Sequence, residues 1–331
     1  MRGKSKRKNL VGIVILILTI SSIIQVQPTL QKLPYAYFYL YAKIPSDSYG
    51  VDYFNLIKQQ LRFIGIDLKI TIQDPFVWQN ELMTFRNFDL TIIEINQTEF
   101  DPYLTNYYSE NGIYNVFGYD TSMDWDDELQ TGRNEWYMQN GSILYPLNST
   151  ESISLNWEWQ QYLISEIQPA VPLFSENNDS FSMLAFNLRE NRKHIGNKDP
   201  CPGSKEKTIG LAIRKAIAYA INREEINKIV HKSEMEITHW PILPKWNEWC
   251  NPSITKSCYN LDIAKQLMAT AGFWEVVCWD KCPPRPRWPK LDKACPQYKT
   301  NSLSISKFMI ICAFASLIIL TIRRIKWRIN R

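Results

Sequence analysis

The chain has 331 residues, 45% of them hydrophobic and 21% charged, which is the balance of a globular protein with membrane segments and excludes a disordered chain. Its formal charge of +5 is made at the two ends: Arg2, Lys4, Lys6, Arg7 and Lys8 precede one apolar run, and Arg323, Arg324, Lys326, Arg328 and Arg331 follow another. Neither tail carries an acid, so removing these ten charges leaves about −5 for everything between; the basic excess reports membrane topology and does not describe a nucleic-acid-binding surface.

In chain order, residues 1–9 form a basic tail and Leu10 to Val26 is an uncharged run that reads as a transmembrane helix or signal anchor, with a cleaved signal peptide as the rival reading. Tyr35 to Ala42 is aromatic and β-prone, and Ser46 to Gly50 reads as a turn. Val51 to Ile64 places Phe54, Ile57, Leu61 and Ile64 on one side of a helix that Gly65 stops. Ile66, Leu68, Ile70 and Ile72 then alternate with polar residues as in a half-buried strand, Pro75 to Phe85 reads as a second helix, and Phe88 to Ile95 as a further strand. This is the order of βαβ units, which implies a parallel or mixed sheet. Thr98 to Tyr145 has the composition of surface loops with short helices, and Asn156 to Ile167 that of a helix.

The most strongly patterned run is Thr208 to Val230. Ile209, Ala212, Ile213, Ala216, Ile217, Ala220 and Ile221 form one apolar stripe, off which Arg214, Lys215 and Tyr219 fall. Asn222 can cap a second helix, with Glu225 closing a capping box. Residues 279–302 read as a stiff stalk rich in Pro and Cys, Leu303 to Ile322 as a second span, and 323–331 as a cytoplasmic tail. Between the spans lie six of the seven cysteines (201, 250, 258, 278, 282 and 295), an even set that suggests up to three disulfides outside the cytoplasm. A zinc site on Cys278 and Cys282 is the rival reading, against which no C-x-x-C pair occurs and His231 and His239 lack ligand spacing. Asn96, Asn140, Asn148 and Asn178 head glycosylation sequons.

No P-loop, G-x-G-x-x-G, G-x-S-x-G or H-E-x-x-H motif occurs, so neither catalysis nor a cofactor is expected, and the chain cannot itself power transport.

Three motifs carry a resemblance. AIRKAIAYAINREEINKIV is similar to the "vRqAlayAiDReeI" signature of the oligopeptide and dipeptide family (family 5) of extracytoplasmic solute-binding proteins, which capture ligands for ABC importers. FSMLAFNL (Phe181 to Leu188) resembles the strand that precedes that signature, and YNLDIAKQLMATAGF (Tyr259 to Phe273) the helix "ydpekAkeLLaeAGy" that follows it. IQPAVPLF resembles the family's "ap.iPLy" strand. LRFIGIDLKI, a Trp-containing helix and FDLTI also resemble a family segment, but one that comes after the "AkeLL" helix in relatives, so the order here reads as circularly permuted and the chain as shortened, with a chain spliced from parts of two relatives as the alternative.

The resemblance implies a two-lobed, type II periplasmic-binding-protein-like α/β fold over residues 27–278, to which the two apolar runs and the basic tails add terminal transmembrane helices with both tails cytoplasmic. It implies capture of peptides or similar small organic solutes, with ABC permease and ATPase subunits as partners and no nucleic acid. The alternative is a cell-surface binding module on the same scaffold, without transport. IIEINQTEFDPY resembles the cleft segment in which peptide-binding relatives place an Asp that holds the ligand's amino terminus. Thr98 stands at that position here, which leaves Glu99, and then Glu94 and Asp101, as candidate amine ligands. Trp78, Trp157 and Trp159 are candidate aromatic walls, on which side chains or sugar rings could stack.

Overall fold

The computed structural model describes residues 36–273, except 47–48, 97–98, 145, 147 and 177–179. Both hydrophobic runs, both basic tails and the stalk lie outside the described residues. Among the described residues, no helix is long and apolar enough to cross a membrane.

The chain opens with β1 (Phe38–Pro45), α1 (Gly50–Arg62), β2 (Ile66–Gln73) and α2 (Pro75–Asn80), whose last turn, Glu81–Phe85, widens to π geometry before β3 (Leu90–Asn96). In β1 the buried Phe38, Leu40, Ala42 and Ile44 alternate with the exposed Tyr39 and Tyr41, so side-chain parity assigns one face to the core. Asp74 caps α2 by accepting from the Phe76 and Val77 amides, and Pro75 fills the first position, where no amide partner is needed. A region of short elements follows: α3 (Thr105–Tyr108), the hairpin β4 (Trp125–Asp126) and β5 (Thr131–Gly132), then α4 (Arg133–Ile143) and α5 (Thr150–Tyr162), which also ends in a π turn, Leu163–Ile167. Next come β6 (Ala170–Glu176), β7 (Ser180–Phe186), the hairpin β8 (Pro200–Cys201) and β9 (Ser204–Thr208), α6 (Ile209–Ala220), α7 (Arg223–Val230), β10 (Glu236–Ile237) and α8 (Leu261–Thr270).

Six strands form one mixed sheet in the order β10-β6-β7-β3-β1-β2. β2, β1 and β3 are parallel, whereas β3, β7, β6 and β10 pair antiparallel. The expectation of a mixed α/β fold stands. The expectation of two lobes is corrected: the described residues build a single six-stranded sheet around a single apolar cluster.

A second correction concerns Arg214, Lys215 and Tyr219, which the helical stripe left outside the core. All three are buried. Arg214 donates to the Ile167 carbonyl at 2.7 and 3.1 Å and to that of Ile195, and Lys215 Nζ donates to the Ile164 carbonyl at 2.9 Å. The π turn at the end of α5 leaves carbonyls unpaired at a helix C-terminus, where cations are favoured, and α6 supplies two. Arg223 works in the same way, donating to the carbonyls of Pro172, Thr238 and Ser257 and so tying α7 to three separate segments.

The cysteine expectation is corrected too. Cys201 and Cys250 are free, buried thiols, which burial pushes up to about 11 and about 12, so the six do not form three bridges. Asn140 lies within α4, where its side-chain amide donates to the Trp136 carbonyl at 2.8 Å, a bond that a glycan on that nitrogen would displace.

Candidate functional site

The parallel half of the sheet fixes where a ligand site should form. From β1 the chain crosses through α1 to β2 on one side, then through α2 to β3 on the other, so strand order reverses between β1 and β3. In open α/β sheets the connections diverge at such a point and leave a crevice beyond the carboxyl ends of the strands. A cavity of about 540 Å³ lies there. Its walls include Pro45 at the end of β1, Tyr49 and Tyr53 of the α1 segment, Trp78 of α2, Glu94 near the end of β3, and Ser182 of β7.

The side chains are held from behind. Trp78 Nε1 donates to Thr91 Oγ1 at 3.1 Å and to the Lys43 carbonyl at 3.3 Å, which fixes the indole at the rim. Ser182 stands opposite Glu94 in the β3–β7 register. The Tyr53 hydroxyl is hydrogen-bonded to the His231 Nε2, and Ser182 Oγ donates to the Phe174 carbonyl at 3.4 Å. Burial raises the Tyr53 hydroxyl well above its ordinary value, the nearby Ser182 opposes this and Tyr49 and Glu94 add to it, so Tyr53 is a neutral hydroxyl. Glu94 is the acidic side chain in the lining and has no ion pair among the described residues. The nearest basic residue in sequence on the neighbouring strand, Lys43, is already paired with Glu81 at 2.6 Å. What the cavity offers is therefore one unspent carboxylate, neutral hydroxyls and aromatic faces, a set that suits a cationic amine on an apolar body.

Volume alone would favour another hollow, of about 570 Å³, lined by residues that include Asp124, Arg133, Glu166, Lys198 and Arg214. Most of its charges are spent, Glu206 being the exception among the described residues. Arg133 pairs with Asp126, Lys198 with Glu190 and Glu166 with Lys207, while Arg214 serves carbonyls. Asp124 accepts from the Tyr119 and Tyr162 hydroxyls and from the Asn134 amide.

The sequence candidates separate accordingly. Glu94 and Trp78 line the switch-point cavity. Glu99 is exposed and outside that lining, and Thr98 is not among the described residues. Asp101 spends both carboxylate oxygens on the start of α3, accepting from the amides of Tyr103 and Thr105 and from the Thr105 hydroxyl. Trp159 is fully buried, with its Nε1 donating to Asn134 Oδ1 at 2.8 Å. Trp157 borders a separate open groove of about 520 Å³ with Tyr137 and Glu158. Sequence reading missed Tyr53 and Ser182, which lie on a helix and a strand called for their apolar residues. It also missed His231, whose one available clue was its position at the end of α7.

Residues 137–276 match the family model described as Bacterial extracellular solute-binding proteins, family 5 Middle. No curated protein and no solved structure matches the chain. The matched segment runs from within α4 through α8, so it holds Ser182 and His231, while Glu94, Trp78 and Tyr53 precede it.

Proposed function

With residues 137–276 being family 5 extracellular solute-binding sequence, we propose that this chain captures a peptide or similar small organic solute outside the cytoplasm for an ABC importer. Residues 10–26 and 303–322 hold it to the membrane, and permease and ATPase subunits receive the solute. The observation that carries the reading is the unpaired carboxylate of Glu94 in a 540 Å³ cavity at the point where strand order reverses. Glu94 takes the place that Glu99 held in the sequence expectation, as the ligand for a free amino group.

The test is calorimetry on the purified full-length protein with tri-alanine and N-acetyl-tri-alanine, together with mass spectrometry of co-purified small molecules. Glu94→Gln is expected to weaken tri-alanine binding by about 1.5 to 3 kcal/mol, the scale of a hydrogen bond to a charged group, and to leave the acetylated peptide unaffected. Glu99→Gln is expected to change neither. Silence toward both peptides with no co-purified solute would exclude solute capture and leave the second reading, a surface module without transport, which the single-sheet architecture favours.

A further inference from the structure

The open groove of about 520 Å³ beside Trp157 is lined by α4, by α5 with its π turn, and by the segment around Asn251. Three aromatic side chains wall it: Tyr137 of α4, and Trp157 and Tyr162 of α5. Their placement is built in. Trp136 meets Tyr137 edge to face at 5.2 Å between centroids, and Tyr137 lies 5.6 Å from Tyr162 at an interplanar angle of 41°. Asn251 holds the facing segment to α5, its side-chain nitrogen donating to the Trp157 carbonyl at 2.9 Å and its side-chain oxygen accepting from the Ser253 amide at 2.8 Å.

The unspent groups decide what fits. Trp157 Nε1 is buried and has no hydrogen-bond partner, which costs free energy until an acceptor reaches it. Glu158 has no ion pair among the described residues, and it lies close enough to Tyr137 to add to the rise that burial imposes on that hydroxyl, with Arg133 opposing. An ammonium group only donates, so it would answer Glu158 and leave the indole N–H without a partner; an anion would answer the indole and be repelled by Glu158. A hydroxyl does both. A pyranose ring carries several hydroxyls around an apolar C–H face, the complement of an aromatic wall that holds one donor and one carboxylate. Nor does the groove end at one ring. Tyr162 and Glu166 border the 570 Å³ hollow as well, so the two adjoin. In that hollow Trp125 is 51% exposed, its Nε1 tied to Asp127 at 3.0 Å, which offers a further ring face along the same track.

We propose that the groove beside Trp157 and the hollow it adjoins bind a neutral oligosaccharide, with Trp157 and Tyr137 as stacking faces, Trp157 Nε1 as a donor and Glu158 as an acceptor. The site shares no lining residue with the switch-point cavity, so it does not depend on peptide capture there.

Calorimetry on the full-length protein tests this with three neutral probes, cellohexaose, maltohexaose and N-acetylated chitohexaose, and with the cationic hexaglucosamine as contrast. At least one neutral probe is expected to bind more tightly than hexaglucosamine, and excess tri-alanine is expected not to displace it. Trp157→Phe keeps a ring and removes the N–H, and should weaken sugar binding roughly five- to tenfold; Glu158→Gln, on an exposed position, should weaken it by about tenfold. Both variants are expected to keep the natural unfolding midpoint, which separates loss of the site from loss of the fold. Silence toward all three neutral probes at millimolar concentration, binding that both substitutions leave unchanged, or a preference for hexaglucosamine would overturn the proposal. Displacement of the sugar by tri-alanine would overturn it too, by placing the sugar in the switch-point cavity.

Discussion

Lys215 sits wholly inside the core and gives its ammonium to a single carbonyl, so the fold carries a desolvation cost whenever that group is charged. Burial brings it from an ordinary 10.5 down to about 7, with Glu166 opposing and Lys207 and Arg214 assisting. Between about 7 and 10.5 the unfolded chain thus binds the proton that the folded chain has released, and stability rises with pH in that window; below about 7 both states are protonated and the cost is present in full. Urea unfolding at pH 7, 8 and 9 should show the natural protein gaining up to about 1.4 kcal/mol per pH unit from this group. Lys215→Met should flatten that rise, and an unchanged slope would place the lysine in water. The buried tyrosines act in the opposite sense, since their raised values make stability fall with pH, but only above the ordinary tyrosine range near 10, outside the measured window. None of this was legible in the spacing of residues 209–221. Periodicity reports where apolar side chains lie, whereas Arg214 and Lys215 are buried by reaching carbonyls of a π turn some fifty residues away. The same limit hid Tyr53, a helix residue whose hydrogen-bond partner, His231, lies beyond α7.

The meeting of α1 with α7 shows how a local pattern is completed by a distant element. Asn222 caps α7 as its spacing from Glu225 foretold, its side chain accepting from the Glu225 amide at 3.1 Å. The return half of the capping box is absent. Instead Gln60 of α1 accepts from the Asn222 amide at 3.0 Å through its oxygen and donates to Glu225 at 2.9 Å through its nitrogen. One glutamine thereby caps a helix and glues two helices together. Asn222→Ala should cost about 1 kcal/mol, the usual value of an N-cap. Gln60→Ala should cost roughly 1 to 3 kcal/mol, because it leaves a buried amide unpaired. The double substitution should fall short of the sum by at least about 0.5 kcal/mol, since the residues share one network; strict additivity in denaturant midpoints would break the link. Element identity was largely readable here, because alternation in β1 and β2 and the stripe of α6 are written in nearest neighbours. Strand order was not, since the antiparallel half joins the sheet through the β3–β7 pairing, across about ninety residues of intervening chain.

At the scale of the molecule, the two described ends come together. Tyr37 and Phe38 at the start of β1 pack against Phe273 just past α8, with ring centroids 5.8 and 4.9 Å apart. A domain whose ends meet can be opened elsewhere and closed there without disturbing its core, which is what the expected circular permutation would require. The switch-point cavity lies at the other end of β1, and eight residues of strand separate Phe38 from Pro45, roughly 25 Å at the usual rise. On the proposed anchoring by residues 10–26 and 303–322, the basic residues at both extremities predict the orientation through the positive-inside preference: tags fused to Met1 and Arg331 should survive protease added to intact cells, while the segment between them is digested. Loss of the C-terminal tag alone would make the first run the single anchor, and loss of both would put the chain outside the membrane altogether. The outcome also bears on the ligand site, because a cavity on the cytoplasmic side could not take up solute for import, whatever Glu94 binds.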